Sequence, residues 1–182
     1  MEISQNANDT TGDSTAMSNA EETIGTRPNE MCSKCKGACC KALPGSVFFD
    51  DIKEPIVDTI TEMLRGGYYS IDAWDGDVFS GTKYSCYYLR PATVGSKDVF
   101  DLSWGGRCIF LSKEGCTLSW EERPRGCRLL VPKTLPGGKC GLPENLGGTS
   151  CKNAAAKNWY DHSEMLQEIG NIIVQERKEV KA

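Results

Sequence analysis

Four cysteines fall within nine residues, at Cys32, Cys35, Cys39 and Cys40, in the spacing C-x-x-C-x-x-x-C-C. A C-x-x-C pair lets two thiolates reach one metal from a single tight turn, which is why the spacing recurs in zinc and iron-sulfur sites. A helix over residues 32 to 40 would place all four side chains within ~140° of one face, at ~100° per residue. It would also hold Cys32 and Cys39 ~10 Å apart along the axis, a gap that zinc–sulfur bonds of ~2.3 Å cannot span. The backbone is therefore expected to break at Gly37, and the site to recruit thiols from elsewhere in the chain.

What those thiols are for depends on compartment, because the chain has ten cysteines in 182 residues. A secretory signal needs a basic start and an apolar stretch of roughly 7–15 residues. Residues 1–30 instead carry Glu2, Asp9, Asp13, Glu21, Glu22 and Glu30 against the single base Arg27, a local charge of −5 within a total of −4. A cytoplasmic location follows as the expectation, and in a reducing cytosol clustered cysteines read as metal ligands or redox groups before disulfides. The rest of the chain is then about +1, with no long-range field to gather nucleic acid or anionic lipid. No run of ~18 apolar residues occurs, so neither a nucleic acid nor a membrane is expected as a partner. A protein partner and the oligomeric state stay open.

The candidate recruits are Cys108, Cys116 and Cys127, each beside a residue that bends the chain. Cys108 and Cys116 flank an expected hairpin with Gly115 in its turn, and Cys127 follows Pro124 and Gly126. Nearby Arg107, Arg123, Arg125 and Arg128 would favour thiolates, or else pair with Glu114, Glu121 and Glu122 on the surface. Cys140 and Cys151 could bind metal, form a redox pair, or be ordinary thiols. Cys86 reads as a buried strand residue, and His162 as a core residue before a ligand. With one histidine, any closed site is essentially all sulfur, which suits zinc, mononuclear iron or an iron-sulfur cluster and disfavours magnesium, calcium or manganese.

Taken in order, Cys32-x-x-Cys35-x-x-x-Cys39-Cys40, Gly106-x-Cys108-x-Phe110-Leu111, Gly115-Cys116 and Arg123-Pro124-x-x-Cys127-Arg128 resemble the YkgJ-type cysteine-cluster family, whose domain is named for chelation of zinc or iron. The resemblance covers roughly residues 31 to 135. It implies a small metal-binding domain of unsettled biochemical role, with those seven cysteines as ligands. The same domain occurs in flagellin lysine N-methylases, so the resemblance also implies an enzymatic alternative, a methyltransferase or cluster-containing redox enzyme. A disulfide-stapled interaction module is the third reading. Hydrolytic motifs such as G-x-S-x-G, H-E-x-x-H and the P-loop do not occur.

The expected fold is a small, irregular α+β domain stabilised by metal, over residues 29 to 180, behind a disordered acidic leader at 1 to 28. A core-facing helix is predicted from Asp50 to Leu64, with Ile52, Ile56, Val57, Ile60, Met63 and Leu64 recurring at helical spacing, capped by Asp50 or Asp51 and stopped at Gly66-Gly67. Short strands are predicted over Tyr68–Trp74, Tyr84–Leu89 and Val99–Trp104, the last two as a hairpin. Residues 132 to 149, rich in Pro and Gly, read as loop. One long C-terminal helix should run from about Ser150 to Arg177, with Trp159, Leu166, Ile169 and Ile173 on its buried stripe. Trp104, Trp120 and Trp159 are expected in the core or shielding the site.

Overall fold

The protein is described by a computed structural model, which covers residues 37–42, 44–76, 85–103, 105–130, 133–134, 140–141 and 148–180. The acidic leader, Cys32, Cys35 and Trp104 lie outside the described residues, as do the side chains of Cys140 and Cys151. The fold is a small α+β one. Helix α1 spans Ala38–Ala42, followed by a 3-10 turn at Phe49–Asp51 and helix α2 at Ile56–Arg65. Strands β1 (Tyr69–Trp74) and β2 (Cys86–Pro91) come next, then the short helix α3 (Arg125–Arg128). Lys133–Thr134 (β3) pairs with Cys140–Gly141 (β4) inside the stretch read as loop. Helices α4 (Gly148–Trp159) and α5 (Ser163–Glu179) end the chain. No described helix is long and apolar enough to cross a membrane.

Strands β1 and β2 are antiparallel, with Tyr69 opposite Pro91 and Trp74 opposite Cys86. The hairpin is therefore made by the first two predicted strands and not by the last two. Val99–Asp101 instead lies along the free edge of β1, where the Ile71 amide donates to the Val99 carbonyl at 2.7 Å and the Asp101 amide to the Ile71 carbonyl at 2.9 Å. On the other edge, the Val47 amide donates to the Leu89 carbonyl at 2.9 Å. These added segments occupy both edges, which would otherwise expose unpaired backbone groups.

Helix α2 starts six residues later than its apolar pattern suggests. Pro55 disfavours helical backbone at the residue before it, so the helix begins at Ile56, and Ile60 and Leu64 are its buried positions. It stops at Gly66, followed by Gly67 with a φ of 72°. The C-terminal segment is two helices, broken by a 3-10 turn at Tyr160–His162. Its predicted stripe of Trp159, Leu166, Ile169 and Ile173 is buried. Helix α4 covers one face of the hairpin, where the Cys86 thiol donates to the Ala156 carbonyl at 3.1 Å. Helix α5 covers the other, approaching so closely at Gly170 that a Cβ there would lie 2.6 Å from the Ile71 side chain. His162 stacks on Phe49, ring centroids 3.6 Å apart, and is not in the core.

A charged network is buried between β1, β2 and α4. The Asp72 carboxylate accepts from Arg90 Nε at 2.9 Å, from the Tyr88 hydroxyl at 2.8 Å and from Lys152 Nζ at 3.2 Å. Arg90 also reaches the Asp101 carbonyl at 2.8 Å and its carboxylate at 3.2 Å. Two cations thus face two anions, so the group is neutral, and Arg90 is only 1% exposed. Burial alone would raise the Asp101 carboxyl, but donors from Ser103 and Thr93 and the Arg90 charge hold it down at about 2.

Replacing Arg90 by Met leaves two buried carboxylates with Lys152 as their one remaining cation, and is expected to cost about 3–5 kcal/mol in urea-unfolding experiments. Asp101 is a depressed acid, so its contribution is full above the ordinary 3.8 and fades as pH falls towards about 2. Unfolding free energy should decline across that window, and Asp101→Asn should flatten the decline.

Candidate metal centre

Cys39 and Cys40 enter the site just after the chain turns at Gly37. Its φ of 66° is the left-handed backbone that glycine adopts freely, and the Leu111 side chain occupies the space a Cβ would need. The break expected there is present, and α1 begins at the next residue with Cys39 and Cys40 in its first turn. A helix this short has carbonyls that need outside donors. The Cys108 amide serves the Cys40 carbonyl at 2.8 Å, and the Gly106 amide serves the Ala42 carbonyl at 2.9 Å.

The late cysteines are held by the core. Cys108 forms an antiparallel bridge with Thr93, whose hydroxyl donates to Asp101 at 2.9 Å, so the buried charge network supports the strand beneath this thiol. Cys116 bridges Leu111 across the turn closed by the Ser112 amide and the Gly115 carbonyl, with Gly115 at a φ of 123°. Cys127 lies on α3. Asp51 Oδ2 caps that helix by accepting from the Arg125 amide at 2.8 Å, while also accepting from the Phe48 amide at 2.9 Å. The sequence suggested Asp50 or Asp51 as the cap of α2; Asp51 caps α3 and the 3-10 turn instead.

Two glycines let the early and late segments touch. A Cβ on Gly45 would lie 2.6 Å from Cys127 Sγ, and one on Gly126 would run into the Ser46 backbone. Nothing in the sequence pattern singles out Gly45, because the requirement comes from a contact with residues far along the chain.

Cys39, Cys40, Cys108, Cys116 and Cys127 line one cavity of about 40 Å³. Its apolar wall includes Pro91, Phe110, Leu118, Trp120 and Leu130, and Arg123 adds a cation. Of the arginines near the thiols, Arg123 is the one that lines the cavity; it is steadied by the Leu118 carbonyl at 3.2 Å and lies 5.6 Å from the Trp120 ring centre. Arg125 and Arg128 pair with Asp50 and Asp51 and not with the glutamates suggested by sequence. Cys86 lies in the core, away from this group.

The thiols differ in acidity. The Cys39 and Cys40 sulfurs lie 4.0 Å apart, where either thiol can donate to the other; this shared hydrogen bond, helped by the Cys40 and Cys39 amides and by Arg123, lowers Cys39 against the opposing effect of burial. Cys40 is raised by the same hydrogen bond, by burial and by the other thiols. Burial pushes Cys108 up to about 11, and burial with the neighbouring Cys108 and Cys116 raises Cys127. One thiol of the Cys39–Cys40 pair is thus readier to ionise than the buried Cys108 and Cys127.

A tetrahedral ion with bonds of ~2.3 Å holds its sulfurs ~3.8 Å apart, close to the Cys39–Cys40 separation, so the donor set fits zinc or iron in chemistry. Among the described residues no three His, Cys, Asp or Glu side chains already form a group that could hold an ion. The five thiols share a cavity without a closed coordination sphere.

The family model described as "CxxCxxCC: Putative zinc- or iron-chelating domain" matches residues 31–137, more than half of the chain. Its title motif has two residues between the second and third cysteines; this chain has Lys36, Gly37 and Ala38 there, and the left-handed turn falls within that longer spacer. No curated protein matches, and no solved structure does.

Gly126→Ala forces a methyl group into the Ser46 backbone and is expected to destabilise the protein by about 1–3 kcal/mol. An unchanged urea midpoint would show that the two segments do not depend on this contact.

Proposed function

The chain belongs to this CxxCxxCC family of chelating domains, and from that premise we propose that it binds zinc or iron through thiolates drawn from Cys32, Cys35, Cys39, Cys40, Cys108, Cys116 and Cys127. The observation that carries the reading is the convergence of Cys39 and Cys40 with Cys108, Cys116 and Cys127 on one cavity. Four thiolates complete a structural zinc site, so this set has members to spare, and Cys32 and Cys35 precede α1 in the chain.

The simplest form of this reading is a single ion held by four of these thiolates. The bound cation supplies the positive charge that lets neighbouring buried thiols lose their protons together. The chain's own part is to gather the sulfurs, to keep water out with Pro91, Leu118, Trp120 and Leu130, and to offset excess negative charge with Arg123. Because the ligands come from both ends of the matched region, metal binding would tie those ends together and so contribute to folding.

Anaerobic purification, elemental analysis, and ultraviolet-visible and Mössbauer spectra test this. A colourless protein with stoichiometric zinc selects zinc, an iron signal without cluster absorption selects mononuclear iron, and cluster bands overturn the single-ion reading. Cys39→Ser/Cys127→Ser, which takes a thiol from each segment, should weaken metal binding and lower the melting temperature, while Cys86→Ser, outside the cavity, should leave binding unchanged. Fully reduced protein that takes up neither metal refutes chelation.

A further inference from the structure

We propose that a second pocket, which shares no lining residue with the sulfur cavity, binds a small polyanion such as an organic phosphate or a polycarboxylate. The pocket is about 470 Å³ and is lined by Lys41, Arg107, Lys113, Leu111 and Ser112. That volume lies within the range of small-molecule sites and exceeds what one inorganic phosphate fills.

Its three cations come from three segments brought together by the same contacts that build the cysteine cavity. Lys41 follows Cys40 on α1, Arg107 precedes Cys108, and Lys113 sits in the turn between Leu111 and Cys116. Arg107 is fixed by its Nη2 donating to the Leu111 carbonyl at 2.8 Å, which leaves the rest of its fork free to donate. Among the described residues no carboxylate pairs with any of these three, whereas Arg65, Arg90, Arg125, Arg128 and Lys152 are all in ion pairs. Residues 31–182 carry only about +1 in total, from −4 overall less −5 over residues 1–30. Three cations that no described carboxylate compensates, around one concavity, are therefore a local concentration of charge, and a concave site focuses such a field on a ligand. Ser112 is engaged with Gly115, so charge and the apolar surface of Leu111 would do the recognising.

The inference does not rest on the metal reading, since the pocket lies outside the thiol cavity, and the test separates the two. Calorimetric titration of the full chain at low salt, metal-free and metal-loaded, uses inorganic pyrophosphate in one arm and citrate in the other. Saturable binding with Kd below about 1 mM is expected in at least one arm, and which arm responds identifies phosphate or carboxylate as the source. Lys41→Gln/Lys113→Gln, at two exposed positions, should weaken binding about tenfold or more without changing the circular dichroism spectrum or melting temperature. Arg107→Gln should weaken it separately. Absence of saturable binding in both arms overturns the proposal. So does a double variant whose anion affinity is unchanged, or one that loses metal affinity alone, which would mean that these cations only balance the charge of the thiolates.

Discussion

Two backbone hydrogen bonds join the halves of the cysteine pattern: Cys108 to Cys40, and Gly106 to Ala42. They hold whichever side chains follow, because they use only main-chain groups, and each satisfies a carbonyl that a five-residue helix cannot satisfy by itself. The glycine contacts at Gly45 and Gly126 close the same seam from the other side. Sulfur chemistry is thus laid over a main-chain junction. A metal would have to draw thiols together over short distances only, since the segments that carry them already touch.

Beneath that junction lies the Asp72–Arg90–Asp101–Lys152 group. A buried ion pair adds little to stability compared with good apolar packing, because desolvation offsets most of the attraction, yet a half-removed pair is costly. Its value here is in direction. Arg90 fixes Asp101, Asp101 accepts from Thr93, and Thr93 pairs with Cys108. The site therefore rests on a polar scaffold with few alternative arrangements, in a domain whose principal hairpin has only two strands.

Much of this was legible in the sequence where the signal is local. Helical periodicity found Ile60 and Leu64 and the later stripe at Trp159, Leu166, Ile169 and Ile173. Gly37 announced the turn, and alternation around Cys86 placed its thiol in the core. The errors are non-local or sterically local. Pro55 delayed a helix that apolar spacing extended back to Asp50, and the pairing of β1 with β2 is set by tertiary packing that strand composition does not encode. Asp51 was read as capping the nearest helix although it caps one more than seventy residues on. The five cavity thiols were named from spacing and family likeness, but the glycines that let them meet, Gly45 above all, have no signature outside the folded contact.

The break at Tyr160–His162 has a consequence for how the chain is completed. An isolated pair of strands is marginal in water, and here α4 and α5 close over opposite sides of it like a clasp. The second half of that clasp, α5, spans Ser163–Glu179. During synthesis from the N-terminus, every cysteine has left the ribosome before the sheet has both of its covers. Until α5 has emerged and packed, Ile71 and Phe100, which lie against Gly170, have no cover.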